Sequence, residues 1–313
     1  MNNKKNILLF GGFGFLGTNI LKYIDSHYEG QYECIVFDKY ASHPHEINFG
    51  CITRVYNGDF SDSQLIERIF AENTIDIVIH SLSTTIPVES QNARYDVESN
   101  LLPTLDVLNC MVKHGVKNIV YLSSGGAVYG NKHKKHTELE NVSPISSYGV
   151  VKLAIEKYIL QHAQLYGIQP LIIRLSNPYG PYHFNSKQGI INVAVRKSLK
   201  GETLQVWGDG NTRKDYIYVL DFVDILFKLL NANQYCGVIN IGAGRTMSIN
   251  EIVNDIINYN LSLEVEYTST KQFDVTDFEL DMTKLFSLIG EYQFTEFKDG
   301  ILKTIEWSKT VCC

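Results

Sequence analysis

Apolar residues fall into short, near-continuous runs at the start of the chain, separated by longer stretches of helical period. Asn6–Phe10, Cys34–Phe37, Arg54–Tyr56, Ile75–His80, Asn118–Leu122 and Leu171–Leu175 read as strands. Leu16–His27, Asp62–Ala71 and Val97–His114 read as the helices between them. Strands apolar at nearly every position are buried on both faces, so this βαβα rhythm predicts a parallel, doubly wound α/β sheet covered by helices. After Asn177 the run NPYGPYHFNSKQG is rich in turn formers, and the chain is expected to leave the sheet there. Ile190–Leu199 then reads as a helix, and DYIYVLDFVDILFKLL as a strand entering a helix. The division expected is a Rossmann domain over 1–176, rejoined at about 215–243, and a smaller mixed α/β substrate lobe over 177–214 and 244–313.

Two helices are apolar over more than one face: Leu101, Leu102, Leu105, Val107, Leu108, Met111 and Val112 in one, and Val150, Val151, Leu153, Ile155, Tyr158, Ile159 and Leu160 in the other. A homodimer built on these helices, after Asn100 and after Tyr148, would cover the surplus.

The chain has 313 residues and a formal charge of −6, which gives no basic face for nucleic acid. No stretch reaches the roughly 18 apolar residues that span a bilayer. The apolar run after the basic start is only Ile7–Phe10, a first strand rather than a signal peptide. Cys34, Cys51, Cys110, Cys236, Cys312 and Cys313 have no framework spacing, which fits reduced thiols in the cytoplasm. His43-x-His45 and His133-x-x-His136 lack companion ligands; no metal is expected, and all four read as solvated loop histidines.

Gly12-x-Gly14-x-x-Gly17, within GGFGFLG from Gly11 to Gly17, follows a strand and opens a helix. In that context the glycines let backbone approach a pyrophosphate, and the N–H groups of Phe15, Leu16 and Gly17 face it at a helix N-terminus. Asp38 ends the second strand, where a carboxylate accepts the adenosine ribose hydroxyls and repels a 2′-phosphate. NAD is therefore favoured over NADP, an inference that neighbouring Lys39 weakens. Asp59, followed by Phe60, is either an adenine contact or a helix N-terminal acid.

Tyr148-x-x-x-Lys152 sets a phenol and an ammonium one helical turn apart. A tyrosine near pKa 10 is a poor base at neutral pH, and the ammonium together with a nicotinamide cation would favour phenolate.

With GGFGFLG, FDK, NGDF, VIHSLS, LSSGGAVYG, SSYGVVK, RLSNPYGP, VWGDGNTRKDYIYVLD and the late KQFDV, the chain resembles the extended short-chain dehydrogenase/reductases. Within them it is most similar to the NAD-dependent nucleotide-sugar epimerases and dehydratases typified by UDP-galactose 4-epimerase. The resemblance implies an isomerase of carbohydrate metabolism and polysaccharide biosynthesis acting on a UDP- or TDP-hexose. It implies Tyr148 as the base and Lys152 on the nicotinamide ribose. Ser81, Leu82, Ser83, Asn100 and Ser123 would line the cofactor, and Thr85, Asn177 and Gln188 the nucleotide sugar. The family's catalytic Ser or Thr position is Gly125 here; Ser124 is expected to supply the hydroxyl, with Ser123 in reserve. Gly126 and Ala127 replace the Asp-Glu pair of the 4,6-dehydratases, which argues against dehydration. Lys214 and Lys271 stand where relatives place diphosphate-binding arginines, and Arg213 would take part of that work. Phe278 falls at a position that limits sugar size. The reaction expected is 4-epimerisation, with a 4-reductase of nucleotide 4-keto-6-deoxy sugars as the alternative. A non-catalytic NAD(H)-sensing protein is a third class, disfavoured by the presence of both Tyr148 and Lys152.

Overall fold

All six apolar runs fold as strands of one sheet in this computed structural model, which describes residues 4–86, 92–131, 135–259, 261–269 and 277–312. From the N-terminus come β1 (Lys5–Phe10), α1 (Phe15–His27), β2 (Tyr32–Asp38), β3 (Ile52–Asn57), α2 (Ser63–Glu72) and β4 (Ile77–His80). Next are α3 (Ala93–Asp96), a π-helical turn over Val97–Leu101, α4 (Leu102–Lys113), β5 (Asn118–Ser124) and the short α5 (Gly125–Val128). They are followed by β6 (Lys135–His136), α6 (Ser147–Tyr166), β7 (Gln169–Leu175), β8 (Asn177–Tyr179), α7 (Ile190–Lys200) and β9 (Leu204–Trp207). The remainder is β10 (Arg213–Tyr218), α8 (Val219–Asn231), β11 (Gly237–Ile241), β12 (Thr246–Ser248), α9 (Ile249–Asn258), β13 (Val265–Thr268), β14 (Glu279–Leu280), α10 (Thr283–Ile289) and α11 (Phe297–Cys312).

The large sheet has the parallel order β11-β7-β5-β4-β1-β2-β3. Its seventh strand, β11, went unrecognised in the sequence because Gly237–Ile241 is short and lies among mixed elements. Alternation splits each strand between two cores: Ile7 and Leu9 join α1 and α8 on one face, and Leu8 and Phe10 join α2, α4 and α6 on the other. A third core gathers Tyr179, Ile191, Val195, Val206, Tyr216, Ile252 and Ile301 from the later elements. Strand order reverses between β1 and β4, so the crevice beyond their carboxyl ends is where this architecture binds ligands.

The helix read over Val97–His114 is real but interrupted. Pro103 has no N–H to donate, and the Leu102 N–H bonds five residues back to Val97, widening the turn that carries Asn100.

Two histidine readings are corrected. His43 is buried rather than solvated, its Nε2 3.1 Å from Thr18 Oγ1 and its ring among Phe13, Phe49 and Phe184. His136 is fully buried in β6, hydrogen-bonded to Glu140 and stacked between Tyr129 and Phe278. Local polarity concealed aromatic partners that arrive from distant segments. His133 and Cys313 lie outside the described residues. Cys34, Cys51 and Cys110 are buried free thiols, Cys236 is a half-buried one, and no metal-holding cluster occurs among the described residues.

Asp215 on β10 ties the later elements to the large sheet. Its fully buried carboxylate accepts from the N–H groups of Ala243 at 2.9 Å, Gly244 at 3.1 Å and Leu280 at 3.4 Å. Burial pushes its carboxyl up to about 6 despite those bonds. A folded value above the unfolded one means the fold holds this proton more tightly. The group's contribution to stability is complete below about pH 4 and is lost as pH rises through about 6. Asp215→Asn is therefore expected to flatten the fall in stability across that window, measured by urea midpoints at successive pH values.

Candidate active site

The turn from β1 into α1 is shaped by contacts that exclude side chains. A Cβ on Gly17 would lie 2.2 Å from the Gly11 carbonyl oxygen, so α1 can start this close to β1 only with glycine there. The Gly11 N–H bonds to Phe37 O at 2.8 Å, and the Gly14 N–H reaches back to Gly11 O. Gly14 caps α1 without a side chain, leaving the first-turn N–H groups of Phe15, Leu16 and Gly17 at a helix N-terminus suited to phosphate.

Asp38 closes β2 beside this loop, with Oδ2 accepting the Phe13 N–H at 3.0 Å and Oδ1 the Tyr40 N–H at 3.3 Å. Burial raises its carboxyl, while these bonds and the Lys39 charge pull it back down. The exposed Lys39 sets its ammonium 4.9 Å from the Tyr40 ring centre. Asp59 is exposed and turned onto Ser61, whose N–H and hydroxyl it accepts at 2.9 and 2.7 Å; Phe60 is buried against Phe10 and His80. The cap of α2 is Asp62, not Asp59.

After β4, Ser81 donates to Phe10 O at 2.7 Å, and the Leu82 backbone lies where a Cβ on Gly11 would meet it at 3.0 Å. Asn100 Oδ1 accepts the Thr84 N–H at 2.8 Å, so the π-turn clamps the segment carrying Ser83 and buried Thr85. This crevice fits a dinucleotide: an uncapped helix N-terminus over a glycine turn, with a buried carboxylate at the next strand end.

On α6, capped by Ser146 accepting the Gly149 N–H, Tyr148 and Lys152 face one cavity. Its walls include His80, Ser83, Asn100, Tyr121, Tyr148 and Lys152. Lys152 Nζ donates to Leu122 O at 2.9 Å and lies 5.0 Å from the Tyr121 ring centre and 5.6 Å from that of Tyr148. Burial lowers the ammonium to about 8, opposed by the Glu156 charge. Burial likewise pushes the Tyr148 phenol up to about 12, countered by its hydrogen bonds with Ser83 and Ser124. In the protein alone the phenol therefore stays protonated at neutral pH, and the cofactor's charge is needed to bring it down. His80, bonded to Thr104 at 2.9 Å, is pushed down to about 3 and is neutral.

Ser123 and Ser124 part company. Ser123 donates to Glu156 at 2.5 Å inside the core, whereas Ser124 points to Tyr148. The buried set of Ser123, Glu156 and Arg174 was not picked out from sequence. Its signal was there, as an acid on the Tyr148–Lys152 face of α6 and a charge inside the apolar strand PLIIRL.

A Cβ on Gly125 would come 3.0 Å from Phe278 Cζ and 3.1 Å from Leu280 Cδ2. The ring of Phe278, buried to 2%, thus fills the space a side chain at 125 would occupy. Gly125→Ser is expected to cost about 1–2 kcal/mol by overpacking, and Phe278→Leu in that background to recover most of it; additive denaturation midpoints would contradict this coupling.

Of the nucleotide-sugar candidates, Asn177 Nδ2 donates to Asp215 O at 2.8 Å, and Gln188 is exposed before α7. Arg213 is already held by Glu251 at 2.9 Å and by Thr246. Lys214 bridges through its backbone to Phe278. Lys271 lies outside the described residues.

The fold and this crevice define an NAD-binding enzyme of the extended short-chain dehydrogenase type. The family model for the NAD dependent epimerase/dehydratase family matches residues 7–242, and the chain belongs to that family. Among its relatives is a provisionally named UDP-glucose 4-epimerase of Methanocaldococcus jannaschii, 32% identical over 97% of this chain and 98% of that one. Another is the dTDP-4-dehydro-6-deoxyglucose reductase of Escherichia coli, 26% identical over 98% of both. The UDP-glucose 4-epimerase of Thermotoga maritima, solved with UDP-glucose, superposes with a TM-score of 0.88 at 28% identity, covering 98% of this chain and 99% of that one. NAD is the cofactor of the family. Among the described residues no helix is long and apolar enough to cross a membrane.

Proposed function

We propose that the protein is a nucleotide-sugar 4-epimerase acting on a UDP- or TDP-hexose. The observation that carries this reading is the Tyr148 phenol, hydrogen-bonded by Ser83 and Ser124 with Lys152 one turn away, in a site with no acid at 126 or 127. A Cβ on Gly126 would meet nothing within 4 Å, so a clash at Cβ is not what keeps an acid from that position.

NAD, when bound, supplies a hydride acceptor that can return what it takes. Tyr148 Oη accepts the proton of the sugar 4-hydroxyl and later gives it back. Ser124 hydrogen-bonds to the same oxygen and Lys152 holds positive charge beneath it. The glycine loop and Asp38 hold the dinucleotide, Asp38 taking the ribose hydroxyls. Asn177, Arg213 and Lys214, with Lys271 by the resemblance alone, are our candidates for the diphosphate and Gln188 for the nucleotide sugar, Arg213 only by sharing itself with Glu251. We divide the chain as the sequence suggests, into a dinucleotide domain and a smaller substrate lobe.

A substrate deuterated at C4 tests the reaction: retention at C4 in both epimers supports it, and loss or migration of the label overturns it. The kinship with the E. coli reductase, together with glycine at 125, favours 4-keto-sugar reduction as the second reading.

Leu102, Val150, Tyr158 and Leu165 on α4 and α6 are 48%, 52%, 39% and 63% exposed, an apolar surplus that supports a homodimer. Light scattering should give twice the monomer mass, with Leu102→Glu plus Tyr158→Glu reducing it to one.

A further inference from the structure

We propose that Glu156 is a positioning residue of the active site, holding the seryl end of β5 and the Lys152 ammonium in register with Tyr148. The inference rests on the reading of Tyr148 and Lys152 as the reacting pair.

Glu156 is 1% exposed and lies one helical turn beyond Lys152 and two beyond Tyr148 on α6. Arg174 grips it as a fork, NH2 to Oε2 at 2.7 Å and Nε to both carboxylate oxygens at 3.2 Å. Ser123 closes the set at 2.5 Å. Ser123 and Arg174 are partners across β5 and β7, so one carboxylate joins two strand ends to the helix bearing the reacting pair. The residue after Ser123 is Ser124, whose hydroxyl meets Tyr148, so the position of that hydroxyl follows from the Glu156–Ser123 bond. Arg174 also lies 4.8 Å from the Tyr129 ring centre, fixing the residue that follows α5.

A buried ion pair is a weak source of stability, because desolvation offsets its attraction and apolar residues of similar volume often serve as well. What this pair adds is charge placement. Around Lys152 stand Tyr121 from β5, neutral His80 from β4, Tyr148 and Glu156 from its own helix, and Arg174 behind Glu156 on β7. Glu156 supplies the negative charge in that shell and opposes the burial that would strip Lys152 of its proton.

The test uses the NAD-loaded protein carrying ¹³C at lysine Cε, titrated by NMR, with the Lys152 signal identified by its loss in Lys152→Arg. Glu156→Gln, and the pair Glu156→Gln with Arg174→Gln that removes both buried charges, should lower the Lys152 midpoint by at least about 0.5 pH. Turnover should fall at least about tenfold with KM within about twofold, and Glu156→Asp should restore the midpoint. A wild-type midpoint in a folded variant, or failure of both variants to fold, assigns the network to stability alone and overturns the proposal. The titration needs no sugar, so a wild type inactive on every nucleotide sugar would sink the reaction assigned above and leave this readout standing.

Discussion

Tyr148→Phe is expected to lower turnover by about 10³-fold or more while leaving NAD bound. The variant keeps the ring that lies 5.6 Å from Lys152 Nζ and deletes only the oxygen that Ser83 and Ser124 bond to. Nothing in the glycine turn or at Asp38 depends on that oxygen, so the cofactor content of the purified protein should be unchanged. Burial holds the phenol at about 12, which makes it a poor base until the cofactor's positive charge joins that of Lys152. Activity in Tyr148→Phe near that of the parent would remove the phenol from the mechanism. Ser124→Ala should be milder, since Ser83 still bonds to the phenol.

The second large effect is Gly17→Ala. Its added carbon would sit 2.2 Å from Gly11 O and 2.7 Å from Gly12 O, backbone atoms that no rotamer change can move aside. Either α1 is displaced from β1 or the turn opens. The expected cost is more than about 3 kcal/mol, with loss of the bound dinucleotide. Gly126→Ala, where a Cβ meets nothing within 4 Å, serves as the contrasting control and should fold and bind cofactor normally. Equal NAD content in the two variants would contradict the account of the turn.

Most of the large sheet is legible in the sequence because a parallel strand buried on both faces leaves a continuous apolar run, as Ile7–Phe10 and Ile77–His80 do. β11 is not, since Gly237–Ile241 is short and its apolar run is broken by Asn240. The glycine turn, Asp38 and the Tyr148–Lys152 pair are each set by local spacing and are visible for that reason. Gly125 is different: its spacing marks it as unusual, but its explanation, Phe278 and Leu280, arrives from far along the chain. The same holds for His43 and His136, whose polar neighbours in sequence are replaced by aromatic ones in space. Ser123 stands in reserve to Ser124 on sequence grounds, and only the fold shows that Glu156 holds it.

The central claim is that hydride leaves and returns within one turnover, so the cofactor is never consumed. Purified protein incubated with a panel of UDP- and TDP-hexoses and followed by NMR, with no reductant added, tests it most directly. The account predicts that one 4-epimeric pair reaches the same equilibrium mixture from either side while the bound NAD is retained. Conversion of a 4-keto sugar only with stoichiometric loss of NADH or NADPH, and no interconversion of any pair, would contradict it and make the protein a reductase.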